Sequence, residues 1–221
     1  RSKRVSITNG RFLWNNDNVT PENYGMDWNH IGMTQINLDV DSFRMVNDTF
    51  SGWFEHFSWR DKCGFVLDDF TGKATFSPLL TEVKRMHLET PYSNIYADLK
   101  YSYDSLKAYS NFVQDVYMEY AIDTSEISAL DLSYFVPPLE GLDYGITLFG
   151  KERGTVSEMK FNNIYVKYGR NTVLNGRIFI TGLPDVENTS FSCKFKNLST
   201  GYYDLKTIKT FKKPPKSKDS R

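Results

Sequence analysis

The sequence predicts an all-β fold built mainly from antiparallel strands, and three observations support that prediction. Apolar and polar residues alternate with period two in many runs along the 221-residue chain, which is the pattern of half-buried strands. The runs are short and bounded by Gly, Asn, Asp, Ser or Pro, so their connections are too short for the crossovers that parallel pairing needs. Aromatic residues make up 15% of the chain, which suits the pleated surface of a sheet.

The alternating runs follow one another along the chain. In the first, Ile36, Leu38 and Val40 alternate with polar residues, and we expect a strand with one buried face. The later runs have the same period and contain these apolar or aromatic positions: Met86 and Leu88; Ile95, Ala97, Leu99 and Tyr101; Val116, Met118, Tyr120 and Ile122; Ile164, Val166 and Tyr168; Ile178 and Ile180; Phe191, Cys193, Phe195 and Leu198.

Helical patterns are few, and we predict one or two short helices. Residues 123–135 offer Ser and Thr as N-caps and precede Pro137 and Pro138, which stop a helix. Residues 202–208 predict a second helical turn. Elements of this length are too small to cover a large sheet, so the apolar strand faces must be covered in another way.

Two segments have the pattern of one repeated unit. Residues 86–101 and 164–180 each contain an alternating strand, a polar turn and a second strand. A small residue, Ala97 in one and Gly176 in the other, follows the first apolar residue of that second strand by two positions. Residues 5–12 resemble a partial third copy. Repeated hairpins predict a β-array in which each unit contacts mainly its neighbours.

Charge and hydropathy exclude some classes of function. Lys and Arg total 27, as do Asp and Glu, so the basic surplus that nucleic-acid binding requires is missing. No apolar run approaches the ~20 residues that span a bilayer, and the first residues do not form a secretory signal. We treat residues 1–208 as one segment and residues 209–221 as a basic, Pro/Lys-rich tail. This tail is interpreted as solvated; the alternative is a patch for anionic lipid.

Residues suited to catalysis or metal binding are scattered. Cys63 and Cys193 accompany no CxxC or Cys/His cluster, so two core thiols are expected, and a long-range disulfide is the alternative. The three histidines lie far apart, and His56 and His87 are interpreted as outward-facing strand positions. Nucleotide-binding and hydrolase motifs are absent from the sequence. We therefore predict no catalytic residues, metal or cofactor, and a β-rich enzyme is the least favoured hypothesis.

An aromatic cluster between residues 53 and 76 is the most unusual local feature. Aromatic side chains on both faces of a strand indicate either a layer packed between others or a wall that faces something apolar. Both interpretations stay open at this point. The cluster comprises Trp53, Phe54, Phe57, Trp59, Phe65, Phe70 and Phe76.

Several short segments, taken in order, carry a family resemblance. They are residues 5–12, 26–31, 63–67, 90–91, 101–106, 130–137, 150–156, 168–172 and 180–187. Their order and spacing resemble an internal stretch of the large TamB/AsmA-like proteins of Bacteroidetes, over residues 5–208. The chain departs from the family pattern at Trp53, Trp59 and Cys63, where smaller or more polar residues are usual.

The resemblance implies both a fold and a function. Repeats of this family form a curved, open β-sheet, a taco-like groove with an apolar interior. Such proteins are anchored in the inner membrane by an N-terminal helix, absent from this sequence, and cross the periplasm. The expected role is therefore non-catalytic: a periplasmic groove segment that shields lipid acyl chains during phospholipid transport from the inner to the outer membrane. Membrane contact is expected from parts of the full-length protein outside this sequence.

A second role within the same family is the alternative. The segment would then be a scaffold or binding module that assists outer-membrane protein assembly with an Omp85-class partner, through strand addition at a sheet edge. For the groove, we expect strand faces of shared pattern to line one wall. The candidate lipid-facing residues are Ile95, Ala97, Leu99, Val116, Met118, Tyr120, Ile122, Leu174, Gly176 and Ile178.

Overall fold

Residues 4–207 are described by a computed structural model, in which twelve strands form one open, curved antiparallel sheet. The all-β prediction is confirmed. The strands lie in the sheet in chain order, except that the two-residue β4 pairs with β3 beside the main path. They are β1 (Val5–Asn15), β2 (His30–Val46), β3 (Thr49–Asp61), β4 (Val66–Leu67), β5 (Asp69–Ser77), β6 (Leu80–Glu89), β7 (Asn94–Ser102), β8 (Tyr117–Ser128), β9 (Gly145–Thr155), β10 (Glu158–Tyr168), β11 (Thr172–Thr181) and β12 (Ser190–Ser199).

The described helices are short. They are α1 (Phe112–Asp115), α2 (Ala129–Leu132), α3 (Tyr202–Thr207) and the 3₁₀ helices Leu106–Asn111, Pro137–Leu139 and Val186–Asn188. The helix predicted within residues 202–208 is confirmed as α3, and Ile208 lies outside the described residues. The basic tail at residues 209–221 lies outside them too.

The helix predicted over residues 123–135 is wrong for its first half. Residues 123–128 continue β8, because Ser125 and the three residues after it pair with the start of β9. The hydroxyl of Ser125 also bonds the backbone of Tyr96 on β7, which keeps the chain extended there. The N-cap is Ser128, whose side chain accepts a hydrogen bond from the Leu130 backbone N–H at 3.2 Å. The α-helix at this position is therefore limited to α2, Ala129–Leu132.

The two predicted repeat units are hairpins with the same internal irregularity. In β6, Arg85 has a φ of +53° and precedes Met86, which lies opposite Ala97 of β7. In β10, residues 163–164 repeat this arrangement opposite Gly176 of β11, and Asn163 has a φ of +52°. Both sites are β-bulges facing a small residue. The small residues noted in the sequence therefore mark equivalent positions.

The partial third copy, at residues 5–12, also has a small residue opposite a β-bulge. In β2, Gln35 has a φ of +51° and precedes Ile36, which lies opposite Gly10 of β1. A Cβ added at Gly10 would lie 2.9 Å from the Ile7 side chain, so this close approach requires glycine. Bulges bend a strand and increase its twist. Bulges repeated from strand to strand therefore contribute to the curvature of the sheet.

Candidate functional site

The strand pairing brings the predicted lipid-facing residues onto one face of the sheet. Directly opposed residues on antiparallel strands project from the same face. One row of opposed residues crosses five strands from β7 to β11, in the order Leu99, Tyr120, Glu152, Phe161 and Ile178. Three of the ten candidates lie in this row, although they are up to 79 positions apart in the sequence.

Neighbouring rows place most of the remaining candidates on the same face. Ala97 lies opposite Ile122, and Gly176 lies opposite Ile164. We call this face the apolar wall. It comprises Val83, Met86 and Leu88 of β6; Ile95, Ala97, Leu99 and Tyr101 of β7; Met118, Tyr120 and Ile122 of β8; Leu148, Gly150, Glu152 and Gly154 of β9; Met159, Phe161, Ile164 and Val166 of β10; Leu174, Gly176, Ile178 and Ile180 of β11; and Phe191, Cys193, Phe195 and Leu198 of β12.

The wall is buried in the middle of the sheet and exposed at its edge. Met86 and Ala97 are buried in a cluster with Val83, and this cluster consists of strand residues. Leu99, Ile122 and Ile178 are half-buried. On β12 all ten residues are exposed, and Phe195 is 42% accessible to solvent. A continuous apolar face thus passes from packed to open across the strands.

One end of the wall is covered by the connection between β7 and β8. Tyr103 and Ala108 from this connection pack with Val116 and Met118 in a single buried cluster. Val116 lies immediately before β8 and is 0% exposed. Val116 and Met118 are therefore closed off by this connection.

At the other end of the wall, Leu88 of β6 packs against a second buried cluster. Met26 and Phe65 are buried there together with Leu67, and Tyr134 packs against them. The predicted aromatic cluster contributes Phe57, Trp59 and Phe70 to this core. Core packing is thus the correct interpretation for most of that cluster. Trp53 differs, because it lies under the guanidinium of Arg85 at 4.6 Å.

A buried carboxylate holds α2 in place at this second end. Asp131 accepts hydrogen bonds from the hydroxyls of Thr90 at 2.7 Å and Ser93 at 2.6 Å. Both hydroxyls belong to the turn between β6 and β7, and all three residues are buried. Sequence reasoning did not identify this contact, because its partners are about 40 positions apart and no local pattern links them.

A second buried carboxylate lies in the wall itself. Glu152 of β9 is 4% exposed, and within the described residues neither of its carboxylate oxygens has a hydrogen-bond partner. Burial raises the pKa of Glu152 to about 7. The sequence Lys-Glu-Arg at this point looks solvent-facing, and its position between Gly150 and Gly154 was the available signal that it belongs to the wall.

A pair of tyrosines neighbours this carboxylate. The hydroxyls of Tyr101 and Tyr120 are 2.5 Å apart, so one donates to the other. Burial raises the pKa of both phenols, and the nearby Glu152 adds a smaller upward contribution to each pKa. Since Tyr120 lies directly opposite Glu152, the three polar side chains form a small polar island within an apolar surface.

The opposite face of the sheet is polar. Lys100 and Glu119 form an exposed ion pair there at 3.0 Å, and His87 stacks on Tyr96 with ring centroids 4.5 Å apart. His56 bonds Asp69 at 2.6 Å and lies opposite Asp39. The predicted outward positions of His56 and His87 are therefore confirmed. A cleft of 740 Å³ is lined by residues of β6 to β10, among them Arg85, His87, Tyr96 and Lys151 of this face.

The two cysteines are free thiols on distant parts of the sheet. Cys63 lies between β3 and β4 and is half-buried, and burial raises its pKa to about 11. Cys193 is exposed on the edge strand β12, so the expectation of a core thiol is wrong at this position. Among residues 4–207 no group of three or more His, Cys, Asp and Glu side chains could hold a metal ion.

Comparison with known proteins identifies no relative. No family model, curated protein or solved structure matches the chain. Within residues 4–207, no helix is long and apolar enough to span a membrane.

Proposed function

We propose that this chain is a non-catalytic segment of a TamB/AsmA-like protein, and that its apolar wall shields lipid acyl chains. Its place would be the periplasm, within a longer protein anchored in the inner membrane, and its cargo would be phospholipid moving to the outer membrane. The continuity of the apolar wall from β6 to β12 carries this proposal. Within the described residues, connections pack against the wall near its ends, and the edge strand β12 is open.

The dimensions of the wall suit an acyl chain. Six inter-strand spacings of about 4.8 Å separate β6 from β12 in the sheet, which gives a length of roughly 29 Å. This exceeds the ~15 Å that one leaflet contributes to the hydrocarbon core of a bilayer. Burial of an acyl chain against such a surface stabilises it by about 0.8 kcal/mol per CH₂. Because rows of apolar residues repeat from strand to strand, that contribution changes little as the chain slides.

The test places a charge on the wall and compares it with a charge on the opposite face of the same strand. Ile178→Glu and Leu99→Glu should reduce the phospholipid that copurifies with the protein or transfers from phosphatidylethanolamine/phosphatidylglycerol vesicles. Arg177→Glu and Lys100→Glu are the matched controls, because both residues lie on the polar face. Lipid is quantified by mass spectrometry of extracts, and folding by thermal melts.

Two outcomes would contradict the proposal. An unchanged lipid load in folded Ile178→Glu and Leu99→Glu would mean that lipid does not use the wall. Collapse of the melt for both wall variants would mean that these positions belong to a closed core, because an unpaired buried charge costs several kcal/mol. A wild-type protein that takes up no lipid would also overturn it.

The exposed edge of the sheet favours a second candidate function. All ten residues of β12 are exposed, and among residues 4–207 no strand pairs with its outer edge. Such an edge can accept a strand from another protein. The segment would then be a scaffold that recruits an Omp85-class protein during outer-membrane protein assembly. Addition of that purified partner should protect β12 amides from hydrogen exchange, whereas lipid loading alone should leave the outer-edge amides unprotected.

A further inference from the structure

We propose that Glu152 is a headgroup-binding residue on the apolar wall, and that the wall takes an amphiphile carrying a primary ammonium group. The inference rests on the proposed function for the apolar part of the ligand. It adds the chemistry of the polar end, which the strand pattern does not specify.

The sheet surrounds Glu152 with neighbours that offer it no free hydrogen-bond donor. Along β9, the adjacent positions on the same face are Gly150 and Gly154, which have no side chains. Across the sheet its opposite residues are Phe161, which has no donor, and Tyr120. The Tyr120 hydroxyl is already engaged with Tyr101 at 2.5 Å and lies 3.8 Å from the sulfur of Met118. The carboxylate therefore lacks the partners that buried acids normally have.

A buried carboxylate without partners is costly, and a cationic donor removes that cost. An ammonium group has three donors and no acceptor, so it complements both oxygens of Glu152 without adding an unpaired acceptor. A hydrogen bond between two charged groups is about twice as strong as one between neutral groups. A hydroxyl headgroup offers one neutral donor, and an anionic headgroup would be repelled. Charge complementarity thus selects an ammonium among the simple headgroups.

The tyrosine pair beside Glu152 supports the same ligand chemistry. The rings of Tyr101 and Tyr120 are perpendicular, with centroids 5.9 Å apart. The face of a tyrosine ring attracts cations, and Tyr120 lies directly opposite Glu152 on the neighbouring strand. Leu99 and Ile178 occupy the same row two strands away on either side. A cationic head at Glu152 would therefore leave its alkyl chain on apolar surface in either direction.

The experiment compares three probes by calorimetry on the whole chain at about pH 8, where Glu152 is ionised. Decylammonium has the head and the chain, decanol has the chain with a neutral head, and methylammonium has the head alone. Glu152→Gln should weaken decylammonium binding roughly tenfold or more, because it removes a charge-assisted contact. Decanol binding should change much less. Glu119→Gln, on the polar face of the adjacent strand, is the matched control and should leave all three affinities unchanged.

Each contrary result identifies a different failure. Equal affinity of the wild type for decylammonium and decanol, or an unchanged decylammonium affinity in Glu152→Gln, overturns the headgroup assignment while the lipid-shielding function stands. Binding of methylammonium as tight as decylammonium also overturns it, since the ligand would then be a small cation. If neither long-chain probe binds the wild type, the proposed function fails as well. Retained decanol binding and a retained melt show that Glu152→Gln is folded, and Glu152→Met provides a second neutral variant.

Discussion

The middle strands β6 to β8 and the edge strand β12 share one alternating pattern but bury it to different extents. Met86 in the middle is 7% exposed, whereas Phe195, which lies on the same face, is 42% exposed. A strand in the middle is paired with a strand on each side, and connections cover the wall near its ends. An edge strand has neighbours on one side. The difference shows that an alternating pattern identifies the residues that share a face but not what covers that face.

The largest difference in stability should appear when a charged residue is introduced into each of the two regions in turn. Met86→Glu should destabilise the protein by about 3–5 kcal/mol, because the charge would be buried among Val83 and Ala97 without a partner. Phe195→Glu should cost less than about 1 kcal/mol, because its carboxylate reaches water at the edge. Urea unfolding followed by circular dichroism measures both values. Similar losses for the two variants would mean that the edge is as closed as the middle.

Much of the fold follows from the sequence because strand pairing is local here. Each strand pairs with the next one in the chain, apart from the detour at β4, so period two and turn residues were enough to predict the array. Met86 pairs with Ala97, which is the small residue noted in the first of the two sequence repeats. The connection at residues 103–116 was not predicted, because its helical turns are too short to show a helical period.

The candidate site was predictable in part. Shared strand faces placed Leu99, Tyr120 and Ile178 together correctly, since cross-strand register preserves the face. The extension of β8 through residues 123–128 was missed, because Ser125, a candidate capping residue, pairs with β9 instead. Glu152 was missed for a different reason: its polarity contradicts the burial of its position, and the flanking Gly150 and Gly154 are a weak sequence signal compared with the strand register.

Between the two regions lies β9, where Glu152 makes stability depend on pH. Its pKa rises from 4.5 in the unfolded chain to about 7 in the fold, so the folded protein binds the proton more tightly. Stability is then greatest below pH ~4.5 and falls as the pH rises to about 7. This difference in pKa corresponds to about 3 kcal/mol. Glu152→Gln should remove this decline in urea unfolding measured between about pH 5 and 8, whereas Glu119→Gln should retain it.

If stability still falls with rising pH in Glu152→Gln, other groups cause that fall. Ionisation of Glu152 in the folded protein would then lack the predicted cost in stability. A decline that disappears would sharpen the comparison between regions. It would show that water does not solvate the carboxylate of Glu152 in the ligand-free protein, because an acid reached by water has no reason to resist ionisation.

A smaller loss of stability is expected from weakening the latch of α2, which is the set of hydrogen bonds from Thr90 and Ser93 to Asp131. Asp131→Asn replaces the charged oxygen that accepts from two buried hydroxyls, those of Thr90 and Ser93, by a neutral amide oxygen, which is a weaker acceptor. The expected destabilisation is about 1–3 kcal/mol. Asp143→Asn, at an exposed residue on the connection after α2, is the control and should change stability little. Equal urea midpoints for both variants would show that the latch adds no stability.

The smallest effect on global stability should come from the latch of α3, which is the set of hydrogen bonds that Asp204 accepts near the edge of the sheet. Asp204 of α3 accepts backbone hydrogen bonds from Arg170 and Asn171 in the turn between β10 and β11 and from Thr172 at the start of β11. These bonds, that of Asn171 first, lower the pKa of Asp204 below its usual 3.8. The stabilisation is therefore present above that value and is lost as the pH falls through the lower folded value.

Asp204→Asn should release α3 while β11 stays paired with β10 and β12, because those ladders do not depend on the helix. Amide hydrogen exchange near neutral pH should then accelerate at residues 170–172 and in α3, with little change in β6 to β8. The urea midpoint should fall by less than it does in Asp131→Asn, since this latch fixes an element at the open end of the sheet, where less apolar surface depends on it. A fall as large as that of Asp131→Asn, with faster exchange spreading into the middle strands, would mean that edge and middle unfold as one unit, and that the openness of β12 does not reflect a difference in local stability.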